Sequence, residues 1–150
     1  MKKKVTIFGS TGSIGGSTLD IIKNHPDKYE VVGLTANKNY KKLLEQVEIF
    51  NPKVVSISDN ESYKKFKKQN KTNIKMFNGE ASYDEVLEYE TDIVIAAITG
   101  AIGLMPVIST LKKGITLALA NKESLVCSGR LVTKLAKKKK VKILPIDSEH

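Results

Sequence analysis

The residues most able to do chemistry stand in three short stretches. In PIDSEH (145–150) an apolar run ends, and Asp147, Ser148, Glu149 and His150 follow in a row. Asp147 and Glu149 are two apart, so an extended chain projects both to one face. Two carboxylates converging on one point repel unless a cation sits between them. Mg²⁺ or Mn²⁺ would serve, being hard ions that prefer oxygen ligands. An acidic, solvent-exposed tail has the same spacing, and spacing alone does not separate the two readings. His150 is open to several roles: proton carrier, structural group or frayed terminus.

The second stretch is LANKESL (119–125), where Asn121, Lys122 and Glu123 stand between an apolar strand and an apolar helix. Asn121 suits an N-cap and Glu123 suits a first helical turn. Lys122 fits neither role, because the helix dipole opposes a cation there. Beside a cofactor cleft, such a charge hints at function.

The third stretch is FGSTGSIGGST (8–18), with Gly9, Gly12 and Gly15 spaced G-x-x-G-x-x-G. Gly9 permits a tight turn, Gly12 lets backbone approach a phosphate, and Gly15 lets a helix pack close. Thr11 and Ser13 add hydroxyl donors, and the free N–H groups of the helix start face a pyrophosphate. A merely tight strand–helix turn would look alike, but the position after a first strand favours dinucleotide binding. An NAD site usually carries an acid about 20 residues on, at the end of the second strand. Here Thr35 and Ala36 stand there, followed by Asn37, Lys38 and Asn39. A cation and two amides suit a 2′-phosphate, which favours NADP over NAD. AAITGAIG (96–103) adds a run of small residues that allows close approach of a cofactor, or close packing.

The elements that must position these residues are legible as alternating patterns. Short apolar runs at 5–8, 30–36, 53–58, 74–77, 92–97, 115–120 and 141–146 are rich in β-branched residues and alternate weakly with polar ones. Strands buried on both faces look like this. Helix-period stretches lie between them, as in YKKLLEQVEIF with Leu43, Leu44, Val47 and Phe50. In another, Pro106 stands near the start and Gly114 at the end, each where helices tolerate it. The expected fold is α/β: a doubly wound, mostly parallel sheet of about seven strands, Rossmann-like, with the first strand central.

The bulk numbers agree with one soluble globular domain. The chain has 150 residues, 41% hydrophobic and 27% charged, which is ordinary. No apolar run approaches the roughly 18–20 residues of a membrane span. The start MKKKVTIFGS breaks too soon for a secretion signal, so the expected location is cytoplasmic. Net charge is +9, yet Arg130 is the only arginine among the 25 basic residues. Nucleic-acid recognition leans on arginine, and the lysine runs YKKFKKQNK and KLAKKKK read as solvated helix faces. No nucleic-acid partner is therefore expected. Cys127 is the only cysteine, which rules out an internal disulfide; it reads as a small buried hydrophobe.

GSTGSIG, LANKESLV and PIDSEH, in this order and at these distances, resemble the N-terminal domain of 1-deoxy-D-xylulose 5-phosphate reductoisomerase, over all 150 residues. The resemblance implies an NADPH- and divalent-metal-dependent enzyme. Its reaction rearranges 1-deoxy-D-xylulose 5-phosphate by a retro-aldol/aldol route and reduces the product to 2-C-methyl-D-erythritol 4-phosphate, in non-mevalonate isoprenoid synthesis. By motif, Thr11, Gly12, Ser13 and Ile14 would hold the pyrophosphate, and Asn37, Lys38 and Asn39 would approach the 2′-phosphate end. Asn37 departs from the family's glycine, although Asn tolerates a left-handed backbone. Asn121 and Glu123 would contact NADPH, Lys122 and Ser148 the sugar-phosphate substrate, and Asp147 and Glu149 the Mg²⁺ or Mn²⁺. The family's third acidic ligand, phosphate-binding residues and lid lie in later sequence. The expectation is thus an NADPH-binding portion, 1–150, that ends in the first metal-ligand motif and is inactive alone, from a full-length homodimer. The alternatives are another NADP-dependent Rossmann dehydrogenase, of semialdehyde or homoserine type, a non-catalytic NADP-binding regulatory module, or a basic nucleic-acid binder.

Overall fold

The computed structural model describes residues 1–79, 82–120 and 122–146, with the side chains of 101 and 122–128 outside the described set. Strands and helices alternate along it. They run β1 (Lys3–Phe8), α1 (Ser13–Lys23), β2 (Tyr29–Ala36), α2 (Tyr40–Phe50), β3 (Val54–Ile57), α3 (Asn60–Gln69) and β4 (Lys75–Asn78). The second half adds α4 (Tyr83–Val86), β5 (Ile93–Ala96), a 3₁₀ turn (Ala101–Gly103), α5 (Leu104–Lys112), β6 (Thr116–Leu119), α6 (Lys122–Lys139) and β7 (Ile143–Pro145). Each apolar run read from the sequence becomes one strand.

The strands form one sheet in the order β4-β3-β2-β1-β5-β6-β7, with β1 at its centre. Every pairing among them is parallel. After three strands laid to one side of β1, the chain returns and places β5 on its other side. The switch point of the doubly wound sheet therefore lies between β1 and β5, where ligands of such folds bind.

Two apolar layers explain why the strands lack polar alternation. One face buries Val5, Ile7, Leu34, Val55 and Ile57 with Leu19 and Ile22 of α1, Leu43 and Val47 of α2, and Phe66 of α3. The other face buries Phe8, Val54, Val94, Leu117 and Leu119 with Val86 of α4, Val107 and Leu111 of α5, and Val132 and Ala136 of α6. Successive strand residues point to opposite faces, so both must be apolar. The lysine runs fall on the outer helix faces: Lys64, Lys65, Lys67 and Lys68 are exposed while Phe66 between them is buried. No helix among the described residues is long and apolar enough to cross a membrane. α5 takes Pro106 in its first turn, and Gly114 follows it with φ +74°, so both punctuation residues do what their chemistry predicts.

Candidate cofactor site

The glycine turn joins β1 to α1 at the carboxyl edge of the sheet. Gly9 has φ +85°, which glycine alone adopts without strain. A Cβ there would also meet the Ala97 carbonyl carbon and oxygen at 3.0 Å. Gly15 is needed for another reason: its Cβ would lie 2.4 Å from the Gly9 oxygen and 2.7 Å from the Ser10 Cα. The first turn of α1 thus packs directly on the turn before it. Gly12 is the N-cap and is the opposite case, since its Cβ would meet only the Gly9 oxygen, at 3.6 Å. Its open side is a cradle that backbone lines without side chains in the way.

The Ser13, Ile14 and Gly15 N–H groups precede the first intrahelical bond, which runs from the Gly16 N–H to the Gly12 oxygen at 2.9 Å. They are free donors at the positive end of the helix dipole. The first turn of α1 carries no acidic residue, so nothing there repels an anion.

The turn is held from β2 and α2. The Gly9 N–H donates to the Thr35 hydroxyl oxygen (3.0 Å) and the Ser10 N–H to the Thr35 carbonyl (2.9 Å). The buried Ser10 hydroxyl donates to Gln46 Oε1 (2.8 Å), and Gln46 Nε2 donates back to the Ser10 carbonyl (2.9 Å). One turn earlier on α2, Lys42 Nζ donates to the Thr11 carbonyl (3.3 Å).

A cleft of ≈ 330 Å³ opens at the switch point. Gly9, Thr11 and Gly12 form its floor, Thr35, Ala36 and Asn37 one wall, and Ala97, Ile98 and Thr99 the other. Ile102 and Met105 are apolar yet 65% and 57% exposed, and they extend the second wall. No acid stands at the end of β2: Thr35 and Ala36 are buried there, and Asn37, Lys38 and Asn39 follow, exposed. The nearby Asp59 is engaged elsewhere, as the N-cap of α3. It accepts from the Ser62 hydroxyl (2.7 Å) and the Ser62 N–H (3.0 Å). These bonds, with smaller help from Lys38 and Lys65, hold its carboxyl below the usual value.

Of the residues singled out from the sequence, Thr11, Gly12 and Asn37 line this cleft. Ser13 and Ile14 begin α1. Lys38 and Asn39 lie in the loop to α2, where Asn39 Oδ1 caps the helix by accepting from the Lys42 N–H (3.2 Å). Asn121, Asp147, Ser148, Glu149 and His150 lie outside the described residues, as do the side chains of Lys122, Glu123 and Cys127. The strands that precede them in the chain are described. Phe8 pairs with Ala96, Ala96 with Leu119, and Leu119 with Pro145. The glycine turn, the 96–103 loop, NKES and DSEH therefore all follow strand ends that lie in register. Among the described residues no group of three His, Cys, Asp or Glu side chains is placed to hold a metal. Ser10, Lys42 and Gln46 went unread from the sequence, as did the bonds of Thr35 to the glycine turn; these contacts span 25 to 36 residues, and no local pattern signals them.

A parallel doubly wound sheet, with a glycine turn feeding a helix N-terminus at its switch point, defines the Rossmann-like class of nucleotide-binding domains. The chain belongs to the 1-deoxy-D-xylulose 5-phosphate reductoisomerase family, whose profile matches residues 5–129. The reductoisomerase of Thermoanaerobacter pseudethanolicus is 45% identical over 148 residues, covering 99% of this chain and 39% of that protein. The Zymomonas mobilis reductoisomerase in complex with NADPH superposes with a TM-score of 0.93 at 38% identity, over 100% of this chain and 40% of that one. A reductoisomerase structure holding NADPH, fosmidomycin and magnesium gives 0.92 at 39% identity, over 99% and 37%. The chain thus spans about 39% of the length of the curated relatives it matches.

Proposed function

We propose that residues 1–150 are the NADPH-binding portion of an enzyme that converts 1-deoxy-D-xylulose 5-phosphate to 2-C-methyl-D-erythritol 4-phosphate, by metal-assisted rearrangement and hydride reduction. The observation that carries this is the open side of Gly12. It lies beside the free N–H groups of Ser13, Ile14 and Gly15, at the floor of a cleft with no acid at its β2 wall. This backbone cradle fits a pyrophosphate, and Thr11 and Ser13 add hydroxyls beside it. Asn37, Lys38 and Asn39 meet the 2′-phosphate end, where a carboxylate would repel it. The apolar wall of Ile98, Ile102 and Met105 excludes water from the nicotinamide half. Asn121 and Glu123 complete the contacts to NADPH.

Lys122 and Ser148 contact the sugar-phosphate substrate. Asp147 and Glu149 are hard oxygen donors of the kind Mg²⁺ and Mn²⁺ take. The ion they would hold supplies Lewis-acid polarisation of the substrate carbonyl. The full-length protein is a homodimer of the cytoplasm, and the 150-residue chain holds cofactor without turning substrate over.

Thermal unfolding with NADPH and, separately, with NADH tests the cofactor reading. A ligand at 100 times its dissociation constant adds about 2.7 kcal/mol, which for a chain of this size raises the midpoint by roughly 5–10 °C. The expected result is a rise with NADPH and little with NADH. No rise with either overturns the reading for this chain.

A further inference from the structure

We propose that Gln46 is the positioning residue of the pyrophosphate cradle: it aims the Thr11 N–H, and so sets cofactor affinity, without touching the cofactor. The inference rests on the NADPH reading above. Gln46 occupies an odd place for an amide. α2 buries Leu43, Gln46 and Val47, with Phe50 half-buried beyond them. Gln46 thus takes one position of the i, i+3, i+4, i+7 stripe that packs on the sheet. It is 6% exposed, and Ser10 is fully buried. A buried amide costs stability unless both its ends are bonded. Here both ends are bonded, and both to one residue. Oε1 accepts from the Ser10 hydroxyl at 2.8 Å, and Nε2 donates to the Ser10 carbonyl at 2.9 Å. The stripe gives up an apolar contact to hold one carbonyl of the glycine turn.

What that carbonyl controls follows from peptide planarity. The Ser10 carbonyl and the Thr11 N–H belong to one peptide unit, which is trans, so the N–H points opposite to the C=O. Holding the carbonyl towards α2 holds the Thr11 N–H away from it. The other N–H groups of the turn are already engaged. Gly9 donates to the Thr35 hydroxyl oxygen, Ser10 to the Thr35 carbonyl and Gly12 to the Gly9 carbonyl. The Thr11 N–H has no acceptor among the described residues, and Thr11 lines the cleft. It is a fourth free donor beside those of Ser13, Ile14 and Gly15. Unlike them it precedes the helix, so no helical backbone fixes its direction. A donor that is already aimed loses less freedom when an anion binds. Gln46 supplies that aim from outside the cleft, whose lining does not include it.

The test has two readouts on the purified chain and its variants: NADPH affinity by titration calorimetry, and the ¹⁵N order parameter of the Thr11 amide without cofactor. Gln46→Met keeps the length of the side chain and removes both bonds. It should weaken NADPH binding about 10-fold, the worth of one hydrogen bond to a charged group. The Thr11 order parameter should fall from about 0.85, the rigid-backbone value, towards about 0.6. In Gln46→Glu the pH decides. A protonated carboxyl still donates to the Ser10 carbonyl, whereas an ionised one only accepts. Burial raises its pKa above the usual value of about 4.3, so between about pH 4 and 8 the Thr11 amide should pass from rigid to mobile in this variant. In the unaltered chain it should stay rigid throughout. Being measured without cofactor, the order parameter is blind to repulsion between a carboxylate and the pyrophosphate. NADPH affinity within about twofold of the unaltered chain in a folded Gln46→Met overturns the assignment and leaves the NADPH reading standing. If Gln46→Met does not fold, a Thr11 amide that stays rigid through the whole titration of Gln46→Glu overturns it. Failure of the unaltered chain to bind NADPH overturns that reading, and the assignment with it.

Discussion

Gly12 and Gly15 are glycine for different reasons, and one added methyl group separates them. At Gly15 the methyl would lie 2.4 Å from the Gly9 oxygen, so backbone must move. Gly15→Ala should cost about 1–3 kcal/mol of stability, the usual range for overpacking, read from urea unfolding. At Gly12 the backbone is extended, with φ −80°, and the methyl meets only one atom, at 3.6 Å. Gly12→Ala should stay within about 0.5 kcal/mol of the unaltered chain, yet lose most of the NADPH-induced rise in melting midpoint. A Gly12→Ala variant that still responds fully to NADPH would place the pyrophosphate elsewhere. The tight turn at Gly9 and the close helix packing at Gly15 were legible from their spacing after a first strand. The second reason for Gly9, contact with the Ala97 carbonyl, was not, because it depends on β5 lying beside β1.

Elements were legible to within a few residues because both faces of the sheet are covered. Each buried strand must be an unbroken apolar run, and each lysine-rich stretch between runs must turn one apolar residue inward, as Phe66 does in α3. The grip between elements was not legible. Gln46 reads as a polar position on an amphipathic helix, and only the approach of α2 to the glycine turn gives its amide a partner in Ser10. Helix caps fall between these cases: Asp59 before α3 has a suitable residue type, and the structure supplies the bonds. Its carboxyl is held below the usual value of 3.8, first by the Ser62 hydroxyl and then by the Ser62 N–H. The unfolded chain lacks these bonds, so the folded value is the lower one. The stability they contribute is fully present above the unfolded value and is lost as the pH falls through the folded value. Asp59→Ala should therefore melt below the unaltered chain at neutral pH, with the gap closing as the pH drops under 3.8. A gap independent of pH would mean that the carboxylate contributes nothing as a charge. Melting curves of both proteins across that range decide it.

At the scale of the molecule, the sheet gathers at one edge what the sequence scatters over its whole length. Phe8, Ala96, Leu119 and Pro145 end four adjacent strands in register, so strand ends more than a hundred residues apart in the chain lie side by side. Spacing along the chain could suggest a metal pair at Asp147 and Glu149 without deciding it, because two carboxylates become a site only with further ligands that their spacing does not supply. Mg²⁺ takes about six oxygen ligands in near-octahedral geometry, and two side chains with water hold such an ion weakly. The relatives are long enough to supply more, since this chain spans 39% of one of them. Cofactor binding and turnover should therefore separate in this chain. With 1-deoxy-D-xylulose 5-phosphate and either Mg²⁺ or Mn²⁺ present, NADPH should still raise the melting midpoint, while the absorbance of its reduced nicotinamide stays constant. Asp147→Asn combined with Glu149→Gln should leave the NADPH response of the midpoint unchanged, because the pyrophosphate cradle proposed at Gly12 follows β1 in the chain and the two carboxylates follow β7. Metal-dependent oxidation of NADPH by the chain alone would show that the groups at this one edge suffice for the chemistry.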